Sequence, residues 1–438
     1  MTSPFDGLPW GWCVPLALGL LVIVTMLGWA AVLFVRGQRA RVRAPWPPYE
    51  GPDRFTWVFL VPALNEQVTI RDSVARLLSL QLERRWIVVI DDGSDDDTPA
   101  ILAELSAEHP DLIVLRRDKP DARVGKAAAL NHAYRLLGEQ IGAVPREDVI
   151  VTIVDADGRL RPNAPAWVSA HFADAHVGGV QSRVRIYNRA HPLAWMQDVE
   201  FSVYGALYQA GRNGWGTAGM GGNGQFNRLA ALDDVADEHG PWRDRLTEDQ
   251  DLGLRLIAAG WHGRQELRAA VEQQGLSALR PLFRQRTRWS QGNLQAMALA
   301  RDVWRAPIGL VPRAEQLGYL LMPLWQALVG VALIVAIVLW VTGVTPFWNG
   351  GPSWQLVWVY VFAFGGVVLG CIAGRAEQGP CGWLIGFLVA HPYALYTWVL
   401  WPVLVRSTLR QLKKRSEWAK TEREPLKELA PSPPAPAR

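Results

Sequence analysis

Four short segments of this 438-residue chain carry side chains suited to gripping a diphosphate and moving a proton. Asp91-Asp92-Gly93-Ser94 and Asp155-Ala156-Asp157-Gly158 each follow an apolar run rich in Val and Ile, and Thr247-Glu248-Asp249 opens a stretch with helix-spaced leucines. The fourth, Gln285-Arg286-Thr287-Arg288-Trp289, joins guanidinium groups to an indole. Two carboxylates one residue apart, as at Asp155 and Asp157, suit a hard divalent cation that also holds a diphosphate. Such a cation neutralises charge on a departing phosphate group. A carboxylate at a helix start, as at Glu248-Asp249, can take a proton from an attacking hydroxyl. An arginine pairs with a diphosphate through two hydrogen bonds, and an indole face stacks on a sugar ring. All but Asp155-Ala156-Asp157 also have a plainer reading. Asp, Ser and Thr before helices are ordinary caps, acids suit a helix start, and basic segments with Trp are common at membrane surfaces.

These groups need a scaffold that brings them to one edge. Trp57–Val61, Trp86–Ile90, Leu112–Leu115 and Val149–Val154 read as buried strands, and Val68–Leu80, Pro99–Glu108 and Lys126–Leu137 as amphipathic helices between them. Alternating strands and helices predict a mostly parallel sheet covered on both faces, with ligands at the carboxyl ends of the strands. The first strand runs into Pro62-Ala63-Leu64-Asn65-Glu66, so Asn65 and Glu66 fall at that edge too. The glycine-rich Gly219–Gly224 segment, which holds Gly222, Asn223 and Gly224, suggests backbone approaching a ligand. Its spacing matches neither a P-loop nor a dinucleotide fingerprint.

Composition places this unit beside a membrane. Half the residues are apolar and the formal net charge is only +4, which excludes intrinsic disorder. The three cysteines lie in or beside apolar stretches, which excludes a disulfide scaffold. Fourteen of the 22 tryptophans fall within residues 1–50 and 301–438, where the apolar stretches lie. Cys13–Val35 is long enough to span a bilayer and is followed by Arg36, Arg39, Arg41 and Arg43, which predicts a retained anchor with its amino terminus outside. Leu317–Val344, Trp354–Ala373 and Trp383–Val405 are three further candidates, with Trp348, Trp354, Trp383 and Trp401 near their ends. Four simple spans would leave the basic Arg406–Glu424 segment outside, against the positive-inside rule. One stretch is therefore expected to be re-entrant or broken, with Pro323, Pro392 and Pro402 as break points. Basic charge clusters beside the apolar stretches, so no nucleic-acid partner is expected. The Pro-rich end, Glu424–Arg438, reads as disordered.

The motifs DDGS, DAD, TED and QRTRW, in this order over about Phe55–Gln295, resemble those of the membrane-integrated, processive glycosyltransferases of family two, which include cellulose, chitin, hyaluronan and poly-N-acetylglucosamine synthases. The resemblance implies an α/β GT-A type domain set between transmembrane helices. Its expected divisions are 1–50 (anchor and basic linker), 51–300 (cytoplasmic catalytic domain), 301–405 (membrane and interface helices) and 406–438 (basic tail). It further implies a nucleotide-diphosphate sugar donor, a UDP-sugar, with Mg²⁺ or Mn²⁺ held by Asp155 and Asp157. Asn65, Glu66, Asp91, Asp92, Lys126, Asp155 and Arg288 are implied on the donor side. Gly222, Asn223, Gly224, Gln285 and Trp289 are implied on the acceptor side, and Asp249 is the implied base, with Glu248 in support. The expected activity is inverting extension of a β-linked polysaccharide, processive and coupled to export, at the inner membrane among its lipids. Transfer of one sugar to a membrane lipid is the alternative, and a non-catalytic binding protein or transporter is a second. Trp289 and Trp215 are the two expected sugar platforms.

Overall fold

The computed structural model describes residues 10–45, 51–344 and 354–414, and side chains over the same ranges except 354–356. Trp348 and the Pro-rich end lie outside the described residues, as does the basic segment beyond Lys414. Eight strands form one mixed sheet: β1 (Thr56–Ala63), β2 (Arg85–Asp91), β3 (Leu112–Arg116), β4 (Val149–Ile153), β5 (Arg159–Leu160), β6 (Val177–Ile186), β7 (Gln225–Arg228) and β8 (His262–Gln273). Their order across the sheet is β3-β2-β1-β4-β7-β6-β8-β5. The first four strands are parallel, whereas β7 runs antiparallel to both β4 and β6.

Alternation along β1 explains why it is central. Trp57, Phe59 and Val61 enter one core with Phe172, Phe226 and Val271, while Val58 and Leu60 enter the opposite core with Leu130, Leu252 and Trp242. A strand buried on both faces has to be apolar at every position, and each such large side chain contributes about 1.5–3 kcal/mol of burial. Helices Ile70–Leu78, Thr98–Glu108 and Lys126–Gln140 connect the parallel strands, close to the ranges read from the sequence. This sheet order brings the ends of β2, β1 and β4, and so Asp91, Asn65 and Asp155, to one edge. Because β7 is antiparallel, the glycine-rich segment before it returns to the same edge, where Gly224 N–H donates to Ile153 O at 2.9 Å.

Among the described residues, three stretches are long and apolar enough to cross a membrane: Trp10–Val42, Met322–Val341 and Val357–Leu412. The last is divided into helices Trp354–Arg375, Gly379–Val399 and Pro402–Leu412. The first two form an antiparallel hairpin: a Cβ at Gly386 would lie 2.8 Å from Cys371 O, and Tyr360 bonds His391 at 2.9 Å. Of the three expected break points, Pro323 and Pro402 sit in the first turn of their helices, where proline is tolerated. Pro392 lies inside an unbroken helix.

Candidate active site

Lys126 is the hub of the edge. It starts its helix after Gly125, and its ammonium donates to Asp155 Oδ1 at 2.6 Å and Gly222 O at 2.8 Å, with Glu248 Oε1 at 3.7 Å. Burial pulls its pKa down, but Asp155 and Glu248 overcome this and hold it at about 12. Asp249 completes the cluster. A Cβ added to Gly222 would sit 3.2 Å from Asp249 Oδ2 and 3.2 Å from Lys126 Nζ, so this glycine leaves the space between the carboxylate and the lysine open. Burial, then repulsion from Glu248, raises the Asp249 pKa to about 7 against the opposing pull of Lys126. Three carboxylates thus face one ammonium.

The plain capping reading of TED does not describe this helix start. Thr247 makes no side-chain bond to the helix backbone; its hydroxyl meets Gln250 Oε1 at 3.3 Å, and Asp249 Oδ1 accepts from Gln250 N at 2.8 Å. Glu248–Ala258 therefore begins with both acids in its first turn, facing the edge of the sheet.

Asp157 is only 3% exposed and accepts from Gln274 N at 3.1 Å. Asp155 is part-exposed beside Lys126. Among the described residues no group of three or more potential metal ligands assembles. The donor set still fits Mg²⁺ or Mn²⁺, because such ions use one or two hard carboxylates and take their other oxygens from phosphate and water.

The second cluster lies at the ends of β1 and β2. Asn65, at φ 54°, and Ser94 are tied by Asn65 N to Ser94 Oγ at 2.9 Å, and Asn65 Nδ2 donates to Asp95 Oδ1 at 2.6 Å. Glu66 N donates to Thr98 Oγ1 at 2.8 Å, and Glu66 Oε2 accepts from Thr69 Oγ1 at 3.2 Å. Asp91 accepts from Ser94 N at 2.9 Å and from Arg116, while Asp92 Oδ1 accepts from Arg117 at 2.5 Å. Burial pushes the Asp92 carboxyl upward against the pull of Arg117. Arg116 and Arg117 escaped the sequence reading, although two cations at the end of a strand beside DDGS were the available signal.

The acceptor-side residues divide. Gly222 faces the cluster, but Asn223 and Gly224 are spent on the loop itself. Asn223 is 4% exposed, accepts from Asp155 N at 3.1 Å and donates to Gln273 Oε1 at 2.9 Å. Gly224 O accepts from Ser182 N and Oγ, both at 2.9 Å. Gln285, Arg288 and Trp289 lie on helix Leu279–Ala296. Arg286 and Arg288 are about 200° apart around it, so they have different surroundings. Arg286 is buried, donates to both Glu200 oxygens (3.1 and 2.7 Å) and to Gln285 Oε1 (2.5 Å), and stacks over Trp289 at 4.1 Å. Arg288 is half-buried. This helix meets the segment before Glu248 at Gly292, where any Cβ would collide with Thr247, and Gln295 Oε1 accepts from Leu246 N at 3.1 Å. Trp215 is not a sugar platform here: Arg36 covers its ring at 3.7 Å and Trp29 meets its edge, which ties it to the amino-terminal helix.

A covered mixed sheet with carboxylates, a lysine and a glycine turn at the carboxyl edge, flanked by apolar helices, defines a GT-A type glycosyltransferase domain. Residues 54–292, more than half of the chain, match the model of the family described as glycosyltransferase like family 2, and the protein belongs to that family. It is 33% identical over 273 residues to beta-monoglucosyldiacylglycerol synthase of Synechocystis, covering 60% of this chain and 53% of that protein. It is 28% identical over 253 residues to poly-beta-1,6-N-acetyl-D-glucosamine synthase of Staphylococcus epidermidis, covering 56% of each. The chain thus spans about half the length of these curated relatives. Its fold is similar to that of a mannosyltransferase from Pyrobaculum calidifontis, solved with GDP-Man and Mn²⁺, with a TM-score of 0.61, 19% identity, and coverage of 92% of this chain and 99% of that one.

Proposed function

We propose that this enzyme moves a sugar, with inversion, from a nucleotide-diphosphate donor to a hydroxyl presented at the membrane, within a catalytic unit spanning residues 51–300. The observation that carries this reading is the partly buried Lys126–Asp155–Glu248–Asp249 cluster around Gly222. Asp249, with its pKa near neutrality, takes the acceptor proton as the oxygen attacks the anomeric carbon. Glu248 keeps that pKa high, and Lys126 keeps it from rising further. Asp155 and Asp157 would hold Mg²⁺ or Mn²⁺, which when bound neutralises the diphosphate and supports its departure. Arg288 assists at the diphosphate. Asn65, Glu66, Asp91 and Asp92 shape the nucleoside end, Asp91 and Asp92 being fixed by Arg116 and Arg117. Gln285 and Trp289 border the acceptor.

The likeness to the poly-N-acetylglucosamine synthases supports a growing glycan as acceptor and a UDP-sugar as donor. A second reading, one sugar placed on a diacylglycerol-type lipid, is favoured by the higher identity to the glucolipid synthases. Purified protein supplied with labelled UDP-sugars, Mg²⁺ and lipid vesicles separates them. A long saccharide supports the first reading, a single-sugar lipid supports the second, and no release of nucleoside diphosphate from any donor rejects both.

The contacts of the hairpin support three crossings with the catalytic domain in the cytoplasm. Helix Gly379–Val399 begins beside Glu377, which accepts from Arg183 at 2.8 Å, and near its end Tyr396 donates to Glu200 at 2.7 Å. Ser407, on the next helix, meets Ser290 at 2.8 Å. Both ends touch the catalytic domain, so this helix is the re-entrant one, and the basic Arg406–Lys414 stretch stays on the domain's side as the positive-inside rule requires.

A further inference from the structure

Outside the cleft, a cavity of roughly 370 Å³ opens where β6, helix Pro192–Val203 and the tip of the hairpin meet. Arg183, Arg185, Arg189 and Arg375 line it, against only two carboxylates, Asp198 and Glu377, so its wall carries two more positive than negative charges. Asp198 is shared by Arg185 at 3.0 Å and Arg189 at 3.8 Å. Arg375 makes no ion pair among the described residues. Arg183 is the most telling of the four. Its side chain is 9% exposed, two of its nitrogens bond Glu377 and Gly374, and its Nε is buried with no hydrogen-bond partner. Arg183 thus anchors the hairpin tip from inside the wall, while Arg189 and Arg375 present more open guanidinium groups, to which a phosphate oxygen is a matched acceptor.

The remaining wall sets Trp195, Val199, Val203 and Val389 beside Ser202 and Gln378. It continues onto the hairpin, whose Trp383, Leu384 and Leu388 are more than half exposed. A phosphate entering here therefore arrives on a hydrocarbon chain. None of the lining residues belongs to the cleft, so the occupant is not the group that reacts.

We propose that this cavity binds the phosphate headgroup of an anionic glycerophospholipid, which clamps the hairpin tip to β6. The bound lipid joins Arg183 and Arg189 of the catalytic domain to Arg375 of the hairpin and makes transfer depend on anionic lipid. This inference rests on the membrane-side placement proposed above.

The test uses full-length protein with Arg189→Gln and Arg375→Gln combined, which leaves the buried Arg183 and the cleft intact. Native mass spectrometry from mixed phosphatidylglycerol and phosphatidylcholine micelles should show phosphatidylglycerol retained by the parent protein and reduced at least about tenfold in the variant. Transfer in nanodiscs should rise several-fold with phosphatidylglycerol content for the parent and stay flat for the variant. Equal retention of both lipids overturns the proposal, as does occupancy by inorganic phosphate alone. Displacement by an isoprenoid phosphate that is then consumed as acceptor overturns it too. Nucleotide binding measured by titration is the control: its loss in the parent protein would count against the glycosyltransferase reading, and its retention with no lipid preference counts against the lipid site alone.

Discussion

The cleft and the elbow where the catalytic domain meets the membrane helices both bury charge, and they do so in opposite ways. In the elbow two buried arginines each have a matched carboxylate partner. Arg212 donates to both oxygens of Glu315 (3.0 and 2.7 Å), and Arg286 does the same to Glu200, which Tyr396 also supports. In the cleft Asp155, Glu248 and Asp249 share one lysine, and burial, with repulsion from Glu248 added, raises the Asp249 pKa to about 7. Matched charges fix an orientation, whereas an unmatched excess stores a proton and attracts a cation. The difference separates scaffold from chemistry without reference to any relative.

The sharpest way to break this contrast is Asp249→Asn. Transfer should fall by about 10²–10⁴, with nucleotide affinity nearly unchanged by calorimetry. The same variant should melt higher than the parent at alkaline pH. An Asp whose folded pKa is raised contributes stability that is fully present below its unfolded value and lost as pH rises through about 7. Asn does not suffer that loss. A variant that is catalytically dead and no more stable at pH 8 would mean the carboxylate excess is not real.

On the elbow side, Arg212→Met should cost about 3–5 kcal/mol in denaturant unfolding, because Glu315 is left buried and unpaired. Its folded fraction should bind nucleotide normally. Should nucleotide affinity fall with stability, the two regions are not separable.

Gly292→Ala probes their contact. The added methyl pushes helix Leu279–Ala296 off Thr247, so unfolding should cost about 1–3 kcal/mol, and kcat should fall while KM for the donor holds. Next in size, Asp157→Ala should weaken Mg²⁺-dependent nucleotide binding about tenfold, or about 1.4 kcal/mol, and leave Mg²⁺-free binding unchanged. The smallest expected change is a shift in the acid limb of the pH–rate profile. It should lie near pH 7 in the parent and move upward in Lys126→Met, since Lys126 lowers the Asp249 pKa. A limb that stays in place would remove the lysine from the cluster.

Legibility in the sequence followed the same divide. Strands β1, β2 and β4 were readable because burial on both faces demands unbroken apolar runs, and the half-buried edge strand β3 was readable from its short Leu-Ile-Val-Leu run. Strands β6 and β8 were not, since Arg183, Arg185, Glu266 and Glu272 interrupt them. Those charges are buried by partners distant in sequence, such as His171 with Glu266 at 2.8 Å and Arg161 with Glu272 at 2.6 Å. Arg286 sat inside the QRTRW motif, yet nothing local distinguishes it from Arg288.

The sequence by itself determined the parallel half of the sheet, the order of the acidic motifs and the apolar stretches, because periodicity and strand-end chemistry are local properties. Only the tertiary structure decided that Lys126 serves three carboxylates, that Asn223 and Gly224 hold their own loop, and that helix Gly379–Val399 touches the domain near both of its ends. Those outcomes depend on which distant charges share one desolvated volume, and no window of sequence contains that volume.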